Sequence, residues 1–391
     1  MRWGAAFAVV GLIDELWSGV AVVAAPEVET FHEISHAQYT LWVFAVPIFL
    51  ASLIEAPIAL VSDRLPRQRL LASSLCALGL SLLLAAAAQS PWLLAAALSL
   101  AGAASGVACD SAQAELVTRH PRGPALAMTR WLAFAAAGDA LTPLAIALVY
   151  WLGGTHRNVL ALCGGLLVLH AYLVYRSQSH APSPPTLPED EASAATVPLR
   201  AALSESVRKP RLWLFLFGAA SCALLDEIVV ALGALRLHHE LGWSESEAAL
   251  VMTCLSSGGV LGALISERLL ERVSSRRLLT YASVGSVLLL GVIVQASTAW
   301  LIVSALFVLG MTCSLHWPLV KAAAYELVPG QPGVVNALQQ AFVGMDIGLP
   351  LLIGVIASQL GLSAALAALA AEPIILLIVA ACWRPAPPAG T

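Results

Sequence analysis

The chain of 391 residues is 59% apolar and 11% charged, whereas an ordinary soluble domain is about 45–50% apolar and about 25% charged. The mean hydropathy of +0.83 and apolar runs of roughly 20 residues along the whole chain exclude a water-soluble protein and indicate many membrane spans. The net charge of −4, without a basic block interleaved with aromatic residues, excludes a nucleic-acid-binding surface.

Apolar runs bounded by charged residues, Pro and Gly predict twelve membrane helices in chain order. They are expected at residues 3–25, 40–62, 70–88, 93–117, 124–152, 158–176, 212–236, 246–266, 278–297, 300–328, 333–360 and 363–383. The segment between the sixth and seventh helices contains SPPTLPEDE and ends in basic residues, which is typical of a solvated linker. We therefore predict an N-terminal six-helix bundle over 1–176, a cytoplasmic linker over 177–211 and a C-terminal six-helix bundle over 212–391.

Basic residues between the predicted helices set the orientation of the chain in the membrane. With the N-terminus inside, Arg64, Arg67 and Arg69 of the second connection and Arg208 and Lys209 of the linker are all cytoplasmic. The opposite orientation places most Lys and Arg residues outside and contradicts the positive-inside rule. We expect a multi-pass protein of a bacterial-type inner (plasma) membrane with both termini in the cytoplasm.

The two halves of the sequence repeat each other at a nearly constant offset. IDEL at 13–16 matches LDEI at 225–228, and SDRL at 62–65 matches SERL at 266–269. Repeats in the same order predict two homologous bundles related by an axis along the membrane normal, with a site between them near the midplane.

The sequence ALVSDRLPRQR after the second predicted helix carries a resemblance to a known family. With the twelve helices and the central linker, it resembles the major facilitator superfamily, whose motif reads roughly Gly-x-Leu-Ala-Asp-Arg-x-Gly-Arg-Lys. Asp63, Arg64 and Arg67 match, whereas Ala59 and Pro66 replace the two glycines. The resemblance implies an all-α membrane protein of 12 transmembrane helices in two pseudo-symmetric six-helix bundles. It also implies a monomer, with Asp63, Arg64 and Arg67 in a cytoplasmic gate.

Ionisable residues within the predicted membrane helices are mostly acidic. The acids are Asp14, Glu15, Glu55, Asp110, Asp139, Asp226, Glu227, Asp346 and Glu372, and the bases are Arg130 and Lys321. Each charge near the bilayer centre costs roughly 2.5–3.5 kcal/mol, so such residues face a wet cavity, a partner or a proton path.

The resembled fold lines its central cavity with helices 1, 4, 7 and 10, which here carry Asp14 and Glu15, Asp110, Asp226 and Glu227, and the stretch from His316 to Lys321. Adjacent residues on a helix point about 100° apart, so one acid of each pair faces the cavity. Trp17, three residues after Asp14, makes the same face aromatic. The alternative is that the pairs are structural acids bonded to neighbouring helices.

Helix 10 carries Trp317, Lys321 and Tyr325 along one stripe. The stripe is either a binding wall, with the aromatic residues stacking on an organic ligand, or a packing stripe whose lysine reaches toward the cytoplasm. His316, one residue before it, is a candidate proton relay.

Four of the acids are also interpreted from their positions. Folding helices 4 and 5 into a hairpin places Asp110 and Arg130 at similar depth, which predicts an ion pair. Asp139 and Asp346 each precede a proline by four residues. They form either a symmetric gating or proton-linked pair, or acids that satisfy backbone donors freed near the prolines. Glu372, alone before a proline in the last helix, is interpreted as structural.

Histidine and cysteine positions allow a metal hypothesis, which we do not favour. His32 and His36 have helical spacing and His238 and His239 are adjacent, but these pairs lie in predicted periplasmic connections, where exposed histidine is ordinary. The seven cysteines lie inside apolar stretches without close spacing, typical of small hydrophobic residues. We predict no resident metal.

The function expected from these features is secondary active transport by alternating access, coupled to protons through the paired acids. Excess buried acid favours antiport, as efflux, of a cationic or zwitterionic small molecule that competes with protons for carboxylates. The alternatives are proton-coupled uptake of an anionic or sugar-like nutrient, with Lys321 and Arg130 in the cavity, and divalent metal-ion transport. Without a nucleotide-binding motif or a nucleophile and base constellation, we predict no enzyme and no cofactor. The expected partners are the substrate, protons and the lipid bilayer, with the proton gradient as energy source.

Overall fold

The computed structural model describes residues 2–120, 122–177 and 198–383, which form helices and their connections without a β-strand in these ranges. The first helices are α1 (Arg2–Val23), α2 (Ala25–His32), α3 (His36–Tyr39), a π-helical segment (Thr40–Ala45), α4 (Val46–Ser62), α5 (Arg67–Ala87), α6 (Pro91–Arg119), α7 (Pro124–Trp151) and α8 (His156–Ser177). The remaining helices are α9 (Leu199–Val207), α10 (Pro210–Ser221), a second π-helical segment (Leu224–Ile228), α11 (Val229–His239), α12 (Glu245–Leu270), α13 (Ser275–Gln295), α14 (Ala299–Cys313), α15 (His316–Leu327), α16 (Pro332–Gln339), a 3₁₀ turn (Gln340–Phe342), α17 (Val343–Leu360), α18 (Leu362–Ala368) and α19 (Ala371–Cys382).

Proline opens several of these helices, because its missing N–H falls where a helix has no intrahelical acceptor. Pro91, Pro124, Pro210 and Pro332 are the first residues of α6, α7, α10 and α16. The hydroxyl of Ser90 caps α6 by accepting the backbone N–H of Leu93 at 3.3 Å.

Nine helical segments in the described ranges are long and apolar enough to cross a membrane. Five helices predicted as continuous, over 40–62, 212–236, 300–328, 333–360 and 363–383, depart from regular α-helix within their length. In two of them a proline is the third residue after the break, Pro318 in α15 and Pro373 in α19. Proline lacks the N–H that would donate to the carbonyl four residues earlier, so that carbonyl loses its helical partner and the regular helix is interrupted before the proline.

The chain divides into two compact units, which we call the N-terminal unit (1–204 with 325–343) and the C-terminal unit (205–324 with 344–391). The contacts thus assign 325–343 to the N-terminal unit. The bundle boundaries expected from the sequence repeat stay a prediction. The part of the expected linker that the structure describes contains α9, and residues 178–197 of that linker lie outside the described residues.

Each unit has a core in which glycine allows close helix packing. In the N-terminal unit, α5 and α8 meet where Gly79 and Gly164 oppose each other, and a Cβ on Gly79 would lie 2.6 Å from the Gly164 carbonyl oxygen. In the C-terminal unit, Gly258 of α12 and Gly310 of α14 each pack directly on the backbone of the other helix. Such small-residue contacts are how apolar helices approach closely in a membrane.

Candidate functional site

The carboxylate of Asp14 is held between α1 and α6 in the N-terminal unit. Its Oδ1 accepts the indole N–H of Trp17 at 2.9 Å and the hydroxyl hydrogen of Ser105. The thiol of Cys109, one turn further along α6, also hydrogen bonds to this carboxylate. Asp14 is half-buried, and its carboxylate has donors from both helices.

Two more carboxylates lie near the same thiol. Glu15 and Asp110 are both half-buried, and both interact electrostatically with Cys109, as Asp14 does. We call Asp14, Glu15, Cys109, Asp110 and Trp17 the Asp14 cluster. The predicted acids of α1 and α6 thus all act electrostatically on the Cys109 thiol.

Adjacent acids on α1 meet different neighbours. Asp14 bonds to α6, whereas the backbone of Glu15 meets α7, where the Thr142 hydroxyl donates to the Glu15 carbonyl at 3.1 Å. Gly138 makes this contact possible, since a Cβ there would lie 2.8 Å from the Glu15 Cβ. The Glu15 carboxylate accepts a hydrogen bond from Ser18 at 3.4 Å.

Three of the charges predicted within membrane helices lie at exposed positions of α7 and α17. Arg130 and Asp139 of α7 and Asp346 of α17 are exposed. The Asp110 to Arg130 ion pair and the Asp139 and Asp346 pair stay predictions.

A buried amide and carboxylate pair lies between α4 and the 3₁₀ turn, in the N-terminal unit. Gln340 donates its Nε2 hydrogen to Oε2 of Glu55 at 2.6 Å, and Glu55 is buried. Gly106 of α6 leaves the space that the Glu55 carboxylate occupies, because a Cβ on residue 106 would coincide with it. The sequence analysis did not anticipate Gln340 as the partner of Glu55.

The predicted gate residue Asp63 caps a helix from a distant part of the sequence. Its Oδ1 and Oδ2 both lie 3.0 Å from the backbone nitrogen of Gly333, the second residue of α16, and Val334 also donates its N–H. Gln331, at the cap position of α16, makes no capping bond. Asp63 therefore supplies the acceptor that an N-cap residue normally provides. Burial raises the pKa of Asp63, although these N–H groups and Arg67 oppose the rise.

Arg67 links this cap to α6. Its guanidinium lies 3.7 Å from Asp63 and 3.7 Å from Glu115, and it donates to the Thr118 hydroxyl at 2.8 Å. Arg119 pairs with the same Glu115 at 2.5 Å. The third gate residue, Arg64, is exposed. The network thus rests on Asp63, Arg67 and Glu115, of which the sequence pointed to the first two.

The aromatic stripe of α15 is divided between the two units. Tyr325 belongs to the N-terminal unit and is buried, with its hydroxyl donating to Asn336 at 2.8 Å and to Gln113 at 3.3 Å. Lys321 is buried and Trp317 half-buried, and both belong to the C-terminal unit. All three residues lie on α15, and both interpretations of the stripe stay predictions.

His316, the first residue of α15, meets the last helix of the C-terminal unit. Its Nδ1 lies 2.8 Å from Oε1 of Glu372, and Oε2 of the same carboxylate accepts the backbone N–H of Leu225 at 2.8 Å. The repeated acids Asp226 and Glu227 follow Leu225 in the π-helical segment, and their side chains lie outside the described part of the chain.

A further cluster surrounds Glu27 of α2, outside the membrane-length spans. Glu27 accepts the Tyr150 hydroxyl at 2.5 Å and the backbone N–H of His156 at 3.0 Å, and the His156 ring nitrogen Nδ1 lies 3.0 Å from it. Burial alone raises the pKa of Glu27, but these hydrogen bonds outweigh it and lower the pKa below its ordinary value. His32, on the same short helix, is buried, and burial lowers its pKa.

The residues whose placement is described include no group of three or more His, Cys, Asp and Glu side chains arranged to hold a metal ion.

The family model of the Major Facilitator Superfamily matches residues 7–232 and 216–391 of the chain. The chain belongs to the Major Facilitator Superfamily. This confirms the resemblance read from the Asp63 motif, and the superfamily is one of transporters. No match to a curated protein was found.

Solved structures of superfamily transporters share the fold at low sequence identity. The fucose transporter FucP in its outward conformation has a TM-score of 0.78 at 14% identity, covering 97% of each chain. The human organic anion transporter MFSD10 has a TM-score of 0.73 at 15% identity, covering 96% of this chain and 98% of that one. A bacterial homologue of the iron transporter ferroportin in an outward-facing state has a TM-score of 0.73 at 16% identity, covering 97% of this chain and 100% of that one. These likenesses confirm the predicted all-α superfamily fold.

Sequence reasoning missed the partners more often than the charged residues themselves. Glu372 had been interpreted as structural, and its histidine partner had been assigned a separate role. Glu115 was not among the candidate residues. No signal in a single sequence joins Gly333 to Asp63, because that contact spans 270 residues.

Proposed function

We propose that this superfamily member is a secondary active transporter that exchanges protons for a cationic or zwitterionic small molecule and exports it. The observation that carries the proposal is the Asp14 cluster, where one carboxylate hydrogen bonds to the Cys109 thiol and two more act on it electrostatically, within apolar helices. Efflux is the direction we infer from proton antiport, with the proton gradient as energy source and no cofactor. We further propose that the protein works as a monomer in the inner membrane with both termini cytoplasmic.

The donors on Asp14 explain why the cluster suits exchange. A hydroxyl and an indole N–H stabilise the carboxylate by hydrogen bonding, but they are neutral and leave its charge uncompensated. Three neighbouring carboxylates repel each other in a low-dielectric site, so the cluster takes up either protons or a cation. Because one occupant displaces the other, substrate binding releases protons.

The indole of Trp17 supports a cationic organic substrate. Its N–H points to Asp14, which fixes the ring beside the carboxylate. Aromatic faces attract cations by about 0.5–2 kcal/mol, most strongly where water is excluded. A positively charged amine can thus contact a carboxylate and a ring together.

The alternative is proton-coupled uptake of an anionic or sugar-like nutrient. Two of the similar structures are described as proton symporters, one for fucose and one for xylose, and one as an organic anion transporter. The residue of this chain that favours the alternative is Lys321, a buried base in an apolar helix. Divalent metal-ion transport is less well supported.

The test is proton release from purified protein in weak buffer as organic cations are added. Wild type should release protons, Asp14→Asn should not, and Glu205→Gln should behave as wild type, because Glu205 is exposed outside the spans. Absence of release with every cation tried would refute cation and proton exchange.

The Lys321→Gln variant distinguishes cation efflux from anion uptake. Cation-driven proton release should survive the substitution in part, whereas binding of an anion that depends on Lys321 should disappear. Loss of anion binding in this variant, without any cation response in wild type, would favour the uptake alternative.

A further inference from the structure

His316 and Glu372 form a buried pair in the C-terminal unit, apart from the Asp14 cluster. Each side chain is 1% exposed, and their nearest atoms are 2.8 Å apart. The second oxygen of Glu372 accepts the backbone N–H of Leu225 at 2.8 Å. In a continuous α-helix that N–H would donate to the carbonyl of Ser221. One carboxylate thus joins α15, α19 and the π-helical segment Leu224–Ile228.

The hydrogen bonds of the imidazole show how many protons the pair holds. Because Nδ1 faces Glu372, Nε2 is the nitrogen that meets α13, where the Ser286 hydroxyl lies 3.4 Å away. The imidazole also hydrogen bonds to the backbone of Ala282, and a carbonyl acceptor requires a proton on Nε2. The contact between Nδ1 and Oε1 then needs a proton of its own, since two acceptors at 2.8 Å repel each other. With that proton the pair has no net charge.

We propose that the His316 and Glu372 pair is a proton-binding site whose charge controls the helix break between α10 and α11. Loss of the shared proton leaves a net negative charge in a site closed to water, which is costly unless the carboxylate moves toward solvent. Movement of the carboxylate releases the Leu225 N–H and loosens the π-helical segment. Such segments are frequent at functional sites.

The charged and polar groups around the pair are few and specific. On α13 the neighbour is the neutral Ser286, which is also bonded to Thr312 of α14 at 2.8 Å. On α15 the next basic residue is Lys321, which is buried. Asp226 and Glu227 lie on the π-helical segment itself, and nothing is described of their side chains. The consequence for transport rests on the proposed proton-coupled function, because the segment that loosens carries these repeated acids.

The test is hydrogen–deuterium exchange of the full chain in lipid nanodiscs without substrate, from about pH 5 to about pH 9, expressed as protection factors. In wild type, protection of residues 225–228 should fall about tenfold as pH rises through a one-proton transition. In Glu372→Gln the side-chain oxygen still accepts from Leu225 and the amide donates to Nδ1, so protection should stay high at every pH. The control Glu205→Gln should follow wild type.

Two results would overturn the proposal. One is a wild-type protein whose protection at 225–228 is constant over this pH range, which requires no variant. The other is a Glu372→Gln variant that keeps the wild-type transition. Because no substrate is added, the exchange experiment is independent of transport. If the pH transition is present but the protein releases no protons on cation addition, the antiport proposal is refuted and the proposal for the His316 and Glu372 site is not.

Discussion

Replacing Asp63 by alanine removes the acceptor that caps α16. The carboxylate takes hydrogen bonds from the backbone N–H groups of Gly333 and Val334, and its side chain is only 13% exposed. Loss of a helix cap costs about 0.5–2 kcal/mol, and loss of a negative charge at a partly buried helix N-terminus costs an overlapping amount up to about 2 kcal/mol. A central value of about 1.4 kcal/mol corresponds to a tenfold change in an equilibrium constant.

Amide hydrogen exchange at the start of α16 measures this change directly. We expect Asp63→Ala to lower the protection of residues 332–339 about tenfold, because the helix N-terminus opens more often. Asp63→Asn should have a smaller effect, since asparagine is also a good capping residue. Arg69→Ala is the matched control, because Arg69 lies on the neighbouring first turn of α5 and is exposed.

Gly333→Ala tests the same contact from the other side. A Cβ on residue 333 would press on the backbone of α4 and lie 2.8 Å from Oδ2 of Asp63. We therefore expect a loss of protection at least as large as in Asp63→Ala. If Asp63→Ala and Gly333→Ala both leave α16 as protected as in wild type, the cap does not stabilise this helix and the gate assigned to Asp63 loses its physical basis.

Two further predictions concern buried and outer contacts. Gly106→Ala should destabilise the protein by about 1–3 kcal/mol in thermal unfolding, because the added Cβ would coincide with the Glu55 carboxylate. The control Gly165→Ala in α8, where an added Cβ would have nothing within 4 Å, should be neutral or stabilising by up to about 1 kcal/mol. Equal melting temperatures of the two variants would contradict the packing of Glu55 against Gly106. The pKa of Glu27 is lowered by its hydrogen bonds from neighbours including His156, so its stabilising effect is present above the ordinary pKa of 4.5 and is lost as pH falls through the folded value. The melting temperature of Glu27→Gln should therefore fall less than that of wild type on acidification, and parallel profiles would contradict the assignment.

The sequence predicted the fold well because its strongest pattern, the long apolar run, is the one that a membrane-spanning helix requires. Apolar runs about 20 residues long have few structural alternatives in a bilayer, so the helical architecture and the superfamily were within reach. The irregular segments inside the helices were not predictable from the sequence. In the π-helical segment at Leu224–Ile228, the N–H of Leu225 donates to Glu372, which lies far along the chain and leaves no local pattern.

The candidate site was predicted in part for a similar reason. Asp14 and Asp110 were found because charge in an apolar run is conspicuous, and the structure places both next to Cys109. Their donors Ser105 and Cys109 were not singled out, because small polar residues are common in membrane helices and only a contact reveals their role. Helix phase alone also left open which way Glu15 faces, and the structure shows that its Cβ packs against Gly138 of α7.

Carboxylates in these apolar helices fall into two kinds, and the distinction bears on function. Asp63 and Glu372 each accept a backbone N–H where a helix begins or is irregular, and an unsatisfied N–H in a membrane costs several kcal/mol. Such acids have a structural reason to exist whatever the substrate is. Asp14 differs, because its donors include the side chains of Trp17 and Ser105, and two further carboxylates act electrostatically on the same thiol. Bonds from neutral donors do not cancel that charge, so we expect the occupant of the Asp14 cluster, proton or cation, to change during the cycle, and substitutions there to alter proton release before they alter stability.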